Sequence, residues 1–219
     1  MPLQNRVTPF GAIIADPARG TLMGNRGCLH DQQQRPLRQY QVTRWIICLT
    51  AFKGRRRPLM APGQYTELFC LDEATALAAG HRPCCECNRA RFRAFAACWV
   101  AANPDTIQGQ LRVGMIDAQL QRERISEARY QRDRRKRVYI DSIDGLPDGA
   151  FIALGVEPTA YLLLGARLFP WNPAGYGPPI DRPHEMAVTV LTPASTVGAL
   201  AHGYRPALHP SVYEGAPRE

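Results

Sequence analysis

One run of twenty residues constrains this chain more than any other: Leu68-Phe69-Cys70-Leu71-Asp72-Glu73-Ala74-Thr75-Ala76-Leu77-Ala78-Ala79-Gly80-His81-Arg82-Pro83-Cys84-Cys85-Glu86-Cys87. Asp72 is a good N-cap, because its carboxylate can accept the orphan N–H groups of a first helical turn. Gly80 can end that helix by adopting the left-handed conformation, and Pro83 enforces the stop. Tyr65 to Cys70 reads as a strand leading in. The helix therefore delivers Cys84 and Cys87 on a tight turn, at the spacing where two thiolates bind one tetrahedral zinc with bonds of about 2.3 Å. A redox pair is the rival reading of the same spacing. Upstream, Cys48 in a strand and Cys28 and His30 in a glycine-rich loop supply enough sulfur and nitrogen donors to complete a site.

Seven cysteines is an odd count, and three of them crowd into residues 84–87, so a disulfide framework is excluded as the organising principle. A reducing compartment fits this usage, and neither a leader nor a membrane-length apolar run is visible, which places the expected protein in the cytoplasm. At 219 residues the chain can bury a real core without metal, so zinc would be a local staple or a reactive site.

Phe10 to Ala15 and Val42 to Thr50 read as strands, the second strongly so from its β-branched and aromatic content. Asn88 to about Ala101 predicts a helix with Phe92, Phe95, Ala96 and Trp99 on one face, an aromatic stripe best read as core. Met115 to about Arg132 reads as a further helix with a thin apolar face, on which Ile116 and Leu120 align and Ile125 does not. Thereafter the pattern turns to short strands at Arg137 to Asp141, Ala150 to Leu154, Ala160 to Phe169 and Met186 to Leu191, with a Pro/Gly-rich loop from Pro170 to Pro183. Ala76 to Pro83 is echoed by Ala199 to Pro206, which points to two helices with one kind of stop signal.

The run from Leu68 to Cys87 resembles the second half of the zinc-binding module of the bacterial Ada protein, which repairs methylphosphotriesters in DNA. The likeness covers roughly Thr43 to Asn88. It implies that Cys84 and Cys87 occupy the places of the last two zinc thiolates and that Cys48 corresponds to the methyl-accepting cysteine. The family's second cysteine follows the first by four residues, where this chain has Phe52, so Cys28 or His30 would have to fill that place. Cys70 falls where the family carries an aromatic core residue. A zinc-bound thiolate stays deprotonated at neutral pH and nucleophilic, which is the physical basis of alkyl acceptance.

The formal charge is +8, and arginine supplies almost all of the basic total, since Lys53 and Lys136 are the only lysines. Arginine forks match phosphates and guanine edges, although a GC-rich genome writes arginine without functional cause. Clustering favours a partner: Arg55, Arg56 and Arg57 follow Lys53, and Arg129, Arg132, Arg134, Arg135 and Lys136 crowd the end of the third helix. Neutralising about four duplex phosphates would give a log–log salt slope near −3.6. DNA is the expected partner ahead of RNA, and a membrane surface is disfavoured because the basic stretch lacks an apolar face. Trp171 and Tyr176 could stack bases. His184, His202 and His209 match no metal or catalytic spacing, and His81 could support the sulfur site from behind.

These readings combine into an α+β protein: an Ada-like zinc module over 1–104, a basic helical connector over 105–137 and a β-rich region over 138–219. The expected activity is zinc-dependent binding of nucleic acid linked to DNA repair. A metalloenzyme or alkyl acceptor using Cys48, and a zinc-stapled protein-interaction domain, are the alternatives.

Overall fold

The computed structural model describes residues 1–54, 58–107, 109–128, 134–155 and 158–214. It is an α+β chain built on two sheets. The first contains β1 (Gln4–Val7), β2 (Ile13–Ala15), β3 (Leu22–Asn25), β4 (Ile46–Leu49), β5 (Leu68–Cys70) and β6 (Arg82–Pro83), in the order β2-β1-β5-β3-β4-β6. It is mixed: β1 with β5 and β4 with β6 run parallel, and the remaining pairs are antiparallel.

Between β5 and β6 lies α1 (Glu73–Ala78), the predicted helix. Asp72 caps it through a 2.8 Å bond from the Thr75 N–H. Gly80, at φ +93°, closes it with two bonds of a Schellman stop, Gly80 N–H to Leu77 O and His81 N–H to Ala76 O. All six helical residues are buried. The stop aims the chain at β4, which it joins as β6.

The second helix, α2 (Arg89–Ala102), matches the aromatic stripe, with Phe95 and Trp99 fully buried. The third, α3 (Val113–Arg124), is shorter than its sequence pattern suggested. From Ile125 the chain turns extended and pairs back on itself through Ile125 and Lys136, with Ser126 N–H bonded to Arg135 O and Arg137 N–H to Arg124 O. The expected basic helix is therefore corrected: it ends at Arg124, and Ile125 and Ser126 pair antiparallel with Lys136 and Arg135. The cause is Ile125, which off the Ile116–Leu120 stripe cannot join the helix's buried face and packs instead with Tyr40 and Trp45.

The second sheet consists of β7 (Tyr139–Ser142), β8 (Phe151–Leu154), β9 (Thr159–Leu164), β10 (Arg167–Asn172), β11 (Gly175–Tyr176), β12 (Ile180–Asp181) and β13 (Ala187–Val190). Its order is β11-β10-β9-β8-β13-β7, with β12 also on β10, and every pair is antiparallel. The single strand expected over 160–169 is two strands, because Gly165 at φ +56° turns the chain. The expected loop over 170–183 is largely the end of β10 with β11 and β12. Two further helices follow, α4 (Ala194–Ala201) and α5 (Ser211–Glu214). The echoed segment ends α4 with the same pair of bonds, Gly203 N–H to Leu200 O and Tyr204 N–H to Ala199 O.

One apolar cluster runs through both sheets, joining Ile47 and Leu68 of the first to Ile152 and Val188 of the second by way of Phe95, Trp99 and Leu200. The acidic start of α1 fastens the C-terminal segment as well. Asp72 accepts the Tyr176 hydroxyl at 2.7 Å and the His209 N–H at 3.0 Å. Glu73 accepts the Tyr204 hydroxyl at 2.6 Å and the Ala207 N–H at 2.8 Å, and pairs with Arg91. Among the described residues no helix is long and apolar enough to cross a membrane.

Candidate metal centre

The parallel pairing of β6 on β4 builds the sulfur site. Arg82 N–H donates to Trp45 O at 3.1 Å and Cys84 N–H to Ile47 O at 2.9 Å. Cys84 is thereby held beside Cys48, and the turn into α2 brings Cys87 round to both. The sulfurs of Cys48, Cys84 and Cys87 lie within 4.8 Å of one another. Three thiolates on a tetrahedral ion with bonds of about 2.3 Å sit about 3.8 Å apart, so the donor set fits such an ion.

The surroundings favour negative charge on Cys84 alone of the three. Leu49 N–H donates to Cys87 Sγ and Glu86 N–H to Cys84 Sγ, both at 3.4 Å. A hydrogen bond from Cys48, with the backbone N–H groups of Cys87 and Glu86, lowers the Cys84 thiol to about 5, while the same bond with Cys84 pushes Cys48 up. Burial raises Cys87. The three sulfurs thus share protons, with Cys84 the first to carry charge and the other two discouraged from joining it unless a cation compensates.

Cys28 and His30 stand outside it. His30 is buried with Nδ1 2.6 Å from Thr66 Oγ1 and Nε2 3.2 Å from Ala61 O, so both ring nitrogens are engaged in holding a loop. The Cys28 sulfur faces His30 O at 3.9 Å. Neither fills the place that Phe52 leaves, and among the described residues no fourth His, Cys, Asp or Glu joins the three cysteines. Cys85 is exposed and 3.9 Å from the Arg82 guanidinium. Cys70 is fully buried, as its core assignment requires.

His81 does not support the sulfurs. It is fully buried; Arg26 Nε–H donates to its Nε2 at 3.1 Å, which leaves Nδ1–H to donate to Ala76 O. Burial, followed by the Arg26 charge, keeps its pKa well below the usual histidine range, so it is a neutral linker. Trp171 and Tyr176 are likewise structural: Trp171 Nε1–H donates to Thr75 Oγ1 at 3.1 Å and Tyr176 is buried on Asp72. His184, His202 and His209 each have a local partner, in Asp144, the Gly198 carbonyl and Ser211.

Of the expected nucleic-acid contacts, Arg55, Arg56, Arg57, Arg129 and Arg132 lie outside the described residues. Arg135 is exposed. Arg134 is half-buried against the Tyr40 hydroxyl and donates from Nε to Ala128 O at 3.2 Å. Lys136 is a correction, since its ammonium points inward and donates to Ala78 O at 2.6 Å. Lys53, five residues after Cys48, and Arg89 and Arg93, in the first turns after Cys87, are exposed cations. Arg89 and Arg93 sit one turn apart at the start of α2, directly after Cys87, within the Arg89, Arg91, Arg93 alternation of the sequence. No family model matches this chain, and neither a curated protein nor a solved structure does.

Proposed function

We propose that the protein is a zinc–thiolate protein that acts at nucleic acid, with Cys48, Cys84 and Cys87 as the ligands and Cys48 as the reactive sulfur. The observation that carries this reading is the convergence of three sulfurs, from β4 and from the turn after β6, to within 4.8 Å. Sites with three protein ligands leave a coordination position for an outside group, whereas closed structural sites use four.

The surroundings distinguish the three thiolates. Cys84 is only 6% exposed, and Cys87 accepts a backbone N–H that draws off electron density. Cys48 keeps its sulfur buried against the other two, and it is distinguished by chemistry and not by exposure: among the described residues no backbone N–H donates to it. Bound zinc would keep that sulfur anionic at neutral pH. Lys53, Arg89 and Arg93, exposed and close in sequence to Cys48 and Cys87, are the candidates for phosphate contact.

The chemistry proposed is alkyl transfer. The Cys48 thiolate attacks the methyl carbon of a methylphosphotriester, the carbon–oxygen bond breaks, and its electron pair leaves with the phosphodiester oxygen. Cys48 becomes an S-methyl thioether. Incubation with methylphosphotriester DNA, then peptide mass spectrometry, tests this: one methyl on the Cys48 peptide supports it, and an unmodified Cys48 contradicts it. Binding to unmodified DNA and RNA across a salt series tests the wider reading, which requires affinity that falls with salt.

A further inference from the structure

A second feature lies on the other side of residues 45–48. Alternation turns Trp45 and Ile47 one way and Ile46 and Cys48 the other, and burial agrees, with Trp45 at 1% and Ile47 at 0% exposure. Beside Trp45 opens a cavity of about 750 Å³, within the range of small-molecule sites. Phe10, Ile13 and Ile125 contribute apolar wall. Arg38, Arg124, Arg135 and Lys136 also line it, and among the described residues no Asp or Glu does.

Arg124 and Lys136 are built into the fold, and Arg26, which does not line the cavity, shares the Trp45 ring with Arg124. Arg124 is 1% exposed, with its guanidinium over the Trp45 ring at 4.0 Å and Nη1 donating to Gly80 O at 2.8 Å. Its Nε is buried without a hydrogen-bond partner. Arg26, also 1% exposed, lies over the same ring at 3.9 Å and keeps Nη2 buried and unpartnered. The Lys136 ammonium is bonded only to the Ala78 carbonyl. Among the described residues none of the three has a carboxylate in ion-pair range, and the nearby Asp117 is already held by both arms of Arg82. Three buried cations of one sign, with two donors unused, are costly unless an anion completes them. Burial, then mutual repulsion, lowers Arg124 to about 9 and Lys136 to about 7, and burial lowers Arg26 to about 9.

We propose that this cavity binds a phosphate-bearing ligand of nucleotide size, its oxyanion at Arg124 and Lys136 and its apolar part against Phe10, Ile13 and Ile125. Arginine forks suit the several acceptor oxygens of a phosphate, and the aromatic and aliphatic wall suits a base or sugar. The site does not depend on the metal reading, since its residues share no side chain with the cysteine cluster.

Isothermal calorimetry at constant ionic strength is the test, with inorganic phosphate, a deoxynucleoside monophosphate, a 5′-phosphorylated oligonucleotide and citrate as probes. The variants are Lys136→Met, which removes a cation the fold holds at a cost, and Arg38→Ala at the exposed rim. Saturable binding of a phosphate probe, weakened at least tenfold in Lys136→Met while that variant melts no lower than wild type, is the expected result. A mononucleotide bound more tightly than the strand identifies a free ester as the source, and the reverse identifies a strand end. No saturable binding of any phosphate probe, affinity unchanged in both variants, or citrate binding as tightly as the best phosphate probe would overturn the proposal.

Discussion

The N–H of Cys84 donates to the carbonyl oxygen of Ile47 at 2.9 Å, so the cysteine that follows a helix stop is hydrogen-bonded into a strand some forty residues earlier in the chain. Cys48 is the next residue of that strand. The sulfur cluster is therefore a consequence of strand pairing as much as of the Cys84–Cys87 spacing, and whatever disturbs the entry of β6 should disturb the site.

Gly80 sets that entry. Both Gly80 and Gly203 take positive φ in matching helix stops, but a Cβ at Gly80 would lie 2.6 Å from Arg124 Cδ, while at Gly203 it would meet nothing within 4 Å. Gly203→Ala should cost about 1–2 kcal/mol for the left-handed conformation alone. Gly80→Ala should cost about 1–3 kcal/mol more through overpacking. Urea unfolding of the two variants checks the difference; equal losses would mean that Arg124 moves aside freely.

Glu73 is 2% exposed and satisfies Tyr204, Ala207 and Arg91 at once. Glu73→Ala leaves buried donors without an acceptor, a loss of about 2–3 kcal/mol. For a chain of this size that lowers the melting temperature by roughly 4–12 °C. A variant melting within a degree or so of wild type would show that the C-terminal segment is not fastened through α1.

Lys136 makes stability depend on pH. Its folded pKa of about 7 lies below the ordinary lysine value of 10.5, so between these values the unfolded chain binds the extra proton. Stability should therefore rise as pH increases from about 7, where the buried ammonium loses its charge. Cys70, held at about 12 by burial, opposes the trend above the ordinary thiol value of 9, so pH 7 to 9 is the window to measure. Cys84, held at about 5 against the ordinary thiol value of 9, contributes a slope of the same sign across this window, so Lys136→Met should reduce the slope without abolishing it. A slope that is the same in the variant would assign the titration to another group.

Much of the site was legible. The Asp72 cap, the Gly80 stop and the aromatic stripe of α2 are local signals, and local signals place Cys84, Cys87 and the strand of Cys48. Long-range choices were not readable. Cys28 and His30 have the right chemistry, but His30 spends both nitrogens on Thr66 and Ala61, a pairing across thirty-odd residues that no spacing rule encodes. Lys136 looked like one more surface cation because the turn of the chain at Ile125, which carries it inward, is decided by packing on Tyr40 and Trp45. Strands β1 and β3 carry weak β patterns and exist because neighbouring strands accept their hydrogen bonds.

Metal content of the purified protein, prepared without chelator, tests the central claim most directly, with Cys84→Ser measured beside it. The account predicts about one zinc per chain in the wild type, and loss of both the metal and a substantial part of the thermal stability in the variant. A wild-type protein free of metal, with Cys84→Ser equally stable, would contradict it and return the three sulfurs to packing or redox chemistry.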